Sequence, residues 1–298
     1  MLSLLAASGA AAPIHWADLG LRPGIELGFF TLRFYSLAYL FGVIFAYWHT
    51  SKMLKEPGAP MAQRHADDLF FYCTLGVIVG GRLGYAAFYT GGETGIPSAF
   101  TDFSGEGLVS WKLLRLWDGG MAFHGGLIGV TLAMAFVAWR DKLNFIRVVD
   151  YVSVGVPMGM LLGRLANFVN GELWGRPTDM PWGVAFPGAG QDCAGVIGVC
   201  ARHPSQLYEA ALEGLLLGAV LLWGVWRRGW LQRPGRVLGV FLAGYGAARF
   251  FVEFFREADA QFVTPDNPGG AVLLGMQMGQ VLSLPMIALG LWFALRRR

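Results

Sequence analysis

The sequence predicts an all-α integral membrane protein with about seven transmembrane helices, and three observations predict it. Charged residues make up 14% of the 298 residues and hydrophobic ones 55%, whereas a soluble domain carries about 25% charged. Seven stretches are long and apolar enough to span a bilayer, each needing about 20 residues. Lys and Arg collect in alternate loops, as they do in membrane proteins of fixed orientation.

The spans fall at 28–48, 69–90, 121–139, 148–170, 205–226, 236–256 and 277–295. The loop after the first carries Lys52, Lys55 and Arg64, and the loop after the third carries Arg140, Lys142 and Arg147. The loop after the fifth has Arg227, Arg228, Arg233 and Arg236, and the tail has Arg296, Arg297 and Arg298. The other side is sparser, with Arg22, Arg33, Lys112, Arg115, Arg176, Arg202 and Arg256. The positive-inside rule then puts the amino terminus outside and the carboxyl terminus inside. The chain reads as one transmembrane domain over 1–298, with 1–27 as a retained outer segment. That segment has no basic start and only a short apolar run, so it suits an interfacial helix better than a signal peptide. The outer loops 91–120 and 171–204 are longer than connections need to be, which points to function.

Composition supports this order. Eleven Trp, 22 Phe and 9 Tyr suit belts at both interfaces, and 43 Gly suit close helix packing in lipid. Gly76, Gly80 and Gly84 form a small-xxx-small packing face, with Arg82 off it. Arg82 has two open readings, pairing with an acid or contacting a lipid headgroup. The formal charge of +3 is too small and too dispersed for a nucleic-acid partner. His15, His49, His65, His124 and His203 lack ligand spacing, so no metal is expected, and no other cofactor. Neither a phosphate-binding Gly-Lys loop nor a Gly-x-Ser-x-Gly elbow occurs. Cys73 lies in an apolar helix; Cys193 and Cys200 share an outer loop where a disulfide is permitted.

The chemistry concentrates in a few stretches. Met160 to Gly175 ends an apolar helix yet carries Arg164, Asn167, Asn170 and Glu172. An ionisable residue inside a membrane helix is a functional hypothesis by default, and a guanidinium suits a phosphate. Structural pairing with a neighbouring helix's acid is the plainer alternative. Gly163, Gly171 and Gly175 let backbone or ligand approach. His124 sits among glycines at the outer end of the third span, and Gly125 and Gly126 clear space around it. It can exchange a proton near neutral pH or hydrogen-bond a headgroup, or be a satisfied buried histidine. In the sixth span Tyr245, Arg249 and Glu253 stack at steps of four, so Glu253 partly neutralises Arg249. In the fifth, Gln206, Glu209 and Glu213 share a face, which favours a structural or supporting role. Asp150 reads as a helix-end acid and Tyr35 as an aromatic-belt residue. The composite is an outward-facing membrane pocket with two arginines, a histidine and several amides, suited to chemistry on a phospholipid.

Several motifs carry a family resemblance. The stretches Phe123 to Val130 (FHGGLIGV) and Gly163 to Gly175 (GRLANFVNGELWG) resemble the hallmark motifs of the prolipoprotein diacylglyceryl transferases. So do RFYSLAY from Arg33, GGRLGY from Gly80, RHPSQLYE from Arg202 and GYGAARFFVEFFR from Gly244. They cover almost the whole chain in order. Ala166 departs from the pattern by one methyl group where the family has glycine. The resemblance implies a bacterial inner-membrane enzyme with its site towards the periplasmic leaflet. It would move the diacylglyceryl group of phosphatidylglycerol to the lipobox cysteine thiol of a prolipoprotein, leaving a thioether and releasing glycerol phosphate. It implies His124, Arg164 and Arg249 as catalytic residues, and Tyr35, Asn167, Glu172, Tyr245 and Glu253 as supporting ones that contact substrate. The rival reading is a phospholipid or anion transporter using the same arginines; such proteins show repeat symmetry, and none is evident.

Overall fold

The computed structural model describes residues 13–28, 31–90, 98–103, 110–116, 119–189 and 200–296. The chain forms two compact units: Tyr47–Val152, and Met1–Ala46 with Ser153–Arg298. Helix α1 (Phe34–Met53) runs across the first boundary.

Unit Tyr47–Val152 is built on α2 (Gln63–Tyr89) and α3 (Phe123–Arg140). Glycines decide their packing. A Cβ on Gly129 would collide with the Gly76 carbonyl, and one on Gly125 with the Gly80 carbonyl. The order of these contacts makes the pair antiparallel, with backbones in direct contact, which is how helices associate where lipid removes the hydrophobic drive. Gly125 therefore serves the helix interface, and does not clear space for His124 as the sequence suggested. At the basic end Arg140 joins Asp68 of α2 and hydrogen-bonds Asp141. The short α4 (Phe145–Ser153) closes the unit.

Among the described residues Arg82 meets backbone carbonyls and no acid. Its buried guanidinium donates to the backbone carbonyls of Leu113 (2.9 Å), Lys112 (2.5 Å), Arg115 (2.9 Å), Gly120 (3.2 Å) and Gly119. A buried charge is tolerated when every donor is used, and here it gathers the loop that leads into α3.

The other unit holds α5 (Val156–Asn170), α6 (Ser205–Arg228), α7 (Arg236–Val252) and α8 (Met278–Leu295). Small residues again set the approach. A Cβ on Gly239 or Gly290 would strike the backbone of the opposite helix in the α7–α8 pair, and one on Gly214 would meet Leu161 of α5 at 2.6 Å. Helix α6 contains a π-helical stretch, Ala210–Leu216. Outside the helices, β1 (Ile14–His15) pairs in parallel with β4 (Val184–Ala185), and β2 (Gly24–Glu26) pairs with β3 (Thr31–Arg33). Val184, Phe186 and Ala189 form a small core with Trp16, Phe168 and Trp174. The described part of the 171–204 loop is thus folded onto the end of α5.

Among the described residues four helices are long and apolar enough to cross a membrane: α2, α3, α6 and α8, or five if α4 and α5 together form one span. Helix α1 carries His49, Thr50, Ser51 and Lys52 near its end, which dilutes its apolar length, and α7 has 17 residues. Large apolar side chains such as Phe71, Leu132, Trp139, Leu282 and Trp292 remain exposed, as lipid-facing helices require. Residues 1–12, much of the 91–120 loop, Cys193 and the last two arginines lie outside the described residues. Cys200 is disulfide-bonded and Cys73 is free.

Candidate active site

Glu209, 1% exposed on α6, is the centre of the candidate site. Its Oε2 meets Arg164 Nε of α5 at 2.6 Å. Its Oε1 meets Arg249 Nη1 of α7 at 3.2 Å and Arg256 Nη1, just beyond α7, at 2.5 Å. Glu253, one turn after Arg249, is ion-paired with Arg249 Nη2 at 2.9 Å and lies 3.5 Å from Arg256 Nε. Three guanidinium groups thus converge on two buried carboxylates. Each guanidinium carries five donors, so N–H groups remain for a further acceptor. The side chains of Arg164 and Arg249 are 25% and 18% exposed, against 1% and 4% for the two carboxylates.

Local folding explains the convergence. Helix α5 ends at Gly171, whose φ of +66° is the left-handed C-cap that glycine adopts freely. The chain then turns back, and Glu172 Oε1 accepts from Asn167 Nδ2 (2.8 Å) and Asn170 Nδ2 (3.1 Å), while Arg164 Nη1 reaches Asn167 Oδ1 at 3.5 Å. The next residues are stitched into place: Gly175 N bonds the His203 carbonyl and Arg176 N the Phe255 carbonyl, each at 2.9 Å. A Cβ on Gly175 would collide with the Phe255 carbonyl. These bonds hold the α5 end, the α6 start and the α7 end together, so arginines far apart in sequence meet one acid. Arg202, 1% exposed, tightens the same junction through the carbonyls of Ala189 and Gly175, both at 3.3 Å, and through Glu257 at 2.5 Å.

The other predicted residues distribute as follows. Tyr35 shares a hydrogen bond of 3.1 Å with Tyr39. Tyr245 stacks on Phe241 at 6.1 Å, one turn before Arg249 on α7. His124 belongs to the other unit, as the second residue of α3, and it is exposed, not buried against a carbonyl. Arg164, Asn167, Glu172, Arg249 and Glu253 are brought together. Sequence reasoning missed two participants. Glu209 was read as a supporting residue, and Arg256 only as an outer-side charge. The signal available for Glu209 was its place at the end of the 202–209 motif, an acid on the same helix face as Gln206.

Membrane-length helices around buried, ion-paired polar groups define this chain as a polytopic helical membrane protein. Comparison narrows that class. The family model for prolipoprotein diacylglyceryl transferase matches residues 24–296, and the chain belongs to that family. A phosphatidylglycerol–prolipoprotein diacylglyceryl transferase of Erythrobacter litoralis is 54% identical over 96% of this chain and 92% of its own length. Proteins of the same name from Ruegeria pomeroyi and Zymomonas mobilis are 53% and 43% identical, over 90% and 94% of this chain and 91% and 92% of their own lengths.

Proposed function

We propose that this protein transfers the diacylglyceryl group of phosphatidylglycerol to the lipobox cysteine of prolipoproteins, the first step of lipoprotein maturation. The observation that carries the reading is the meeting of Arg164, Arg249 and Arg256 at Glu209, in a chain 54% identical to a protein named for that reaction. The cysteine sulfur forms a bond to the glycerol carbon that bears the phosphate, and the carbon–oxygen bond breaks. Its electron pair leaves with glycerol phosphate. Guanidinium donors aimed at the phosphate stabilise the charge that develops on it, as preorganised donors do.

The thiol proton needs an acceptor, because a free thiol has a pKa of about 8.5 and only the thiolate attacks. His124 is the proposed acceptor, on its chemistry; orienting the lipid is its other available part. Tyr35, Asn167, Glu172, Tyr245 and Glu253 are proposed to contact or orient substrate. The topology that suits this reading has seven spans, α1 and α7 included, with the amino terminus outside and the carboxyl terminus in the cytoplasm. The alternate clustering of Lys and Arg supports it. Such an enzyme works in the bacterial inner membrane, with the arginine site towards the periplasmic leaflet.

The test is to incubate the purified protein with phosphatidylglycerol and a peptide carrying a lipobox cysteine. The expected result is a peptide heavier by one diacylglyceryl group, with glycerol phosphate released in equal amount. Lipid movement between leaflets without that mass gain would favour a transporter instead.

A further inference from the structure

The helix face that carries Glu209 also holds acceptors that the arginines leave unused. Glu213 is fully buried, and neither of its carboxylate oxygens has a hydrogen-bond partner among the described residues. Gln206 is equally buried. Its Nε2 donates to the Glu172 carbonyl at 2.6 Å, which fixes the orientation of the amide, and its Oε1 is left without a partner. At the end of α5 the same holds for Asn170, whose Nδ2 is taken by Glu172 and whose buried Oδ1 is unmatched. Gln206, Glu209 and Glu213 follow one another at steps of three and four. The π-helical stretch begins straight after Glu209 and includes Glu213; such widened turns occur frequently at functional sites. Glu213 follows the arginine-paired Glu209 by one turn of α6, and Gln206 and Asn170 both bond Glu172, so these acceptors border the arginine site.

A buried acceptor left unmatched costs free energy, more when it is charged. A ligand that relieved the cost would have to bring donors. Phosphate oxygens held by arginines accept hydrogen bonds and bring none, whereas alcohol groups donate. Arg164 and Arg249 are partly exposed, whereas Gln206 and Glu213 are fully buried.

Resting on the function proposed above, we infer that Glu213, with Gln206 beside it, is a specificity determinant: it accepts hydrogen bonds from the hydroxyl groups of the lipid's headgroup. The arginines then select for negative charge, and Glu213 selects for an alcohol-bearing headgroup among lipids of the same charge. A site built to bond a hydroxyl rejects an analogue that lacks it, because the buried acceptor is left stranded.

The experiment compares binding of short-chain phosphatidylglycerol and phosphatidylpropanol, equal in charge but without headgroup hydroxyls in the second. Full-length protein in phosphatidylcholine nanodiscs is used. Wild type is expected to prefer phosphatidylglycerol by about tenfold or more. In Glu213→Met, which keeps the length and removes both acceptors, the ratio should fall to near one through loss of phosphatidylglycerol affinity alone. If that variant does not fold, Glu213→Gln should give an intermediate ratio. A wild type that binds both lipids equally overturns the inference, as does an undiminished ratio in a folded variant. If wild type binds neither anionic lipid more tightly than phosphatidylcholine, the arginine site itself is misread, and the inference falls with it.

Discussion

Glu209 is surrounded by Arg164, Arg249 and Arg256 and almost excluded from solvent. Removing one member of a buried ionic cluster strands the others, at a cost of about 3–5 kcal/mol. Glu209→Gln is therefore expected to lower the unfolding temperature sharply in detergent. Glu172→Gln, at an exposed carboxylate, should cost about 1 kcal/mol. Equal melting of the two variants would show that Glu209 does not organise the cluster. Much at this scale was legible from spacing: Arg249 and Glu253 four apart predicted the ion pair observed at 2.9 Å. The central part of Glu209 was not legible, because its partners lie on two other segments, and helical spacing reports only neighbours on the same helix.

At the scale of elements, glycine placement carries opposite consequences at different positions. A Cβ at Gly129 would press into the α2 backbone, whereas one at Gly163 meets nothing within 4 Å. Gly129→Ala should destabilise by about 1–3 kcal/mol through overpacking. Gly163→Ala should be neutral, or stabilising by up to about 1 kcal/mol. Thermal unfolding of both checks the contrast, and a tolerated Gly129→Ala would refute the close α2–α3 approach. The Gly76, Gly80, Gly84 spacing announced a packing face, and the face exists. One of its partner glycines on α3, Gly125, was assigned to His124, because sequence alone does not say which neighbour a gap admits.

The end of the α2–α3 pair also sets a pH dependence. The hydrogen bond from Arg140 holds the Asp141 carboxyl below the usual carboxylate range. A carboxyl depressed in the folded state stabilises above its unfolded value, and that contribution is lost as pH falls through the lowered folded value. Protection of the amides at the start of α2, taken relative to their intrinsic exchange rates, should thus fall below about pH 4. Asp141→Asn should lack that part of the response. An unchanged acid response in the variant would remove Asp141 as its source.

For the whole molecule, composition and hydropathy were sufficient to indicate a helical membrane protein, and α2, α3, α6 and α8 fall on predicted spans. The junction that builds the site was not legible. It depends on backbone pairings between residues 171–178, 200–204 and 255–256, and irregular segments leave no periodic trace in a sequence. What they assemble is the meeting of Arg164, Arg249 and Arg256 at Glu209, proposed above as donors for a phosphate. The most direct measurement of that claim is diacylglyceryl transfer to a lipobox peptide by wild type and by folded Arg164→Lys. Lysine keeps the charge and loses the planar fork, so the account predicts transfer by wild type and a drop in kcat/KM of about a hundredfold or more in the variant. Transfer at the wild-type rate by Arg164→Lys would contradict it.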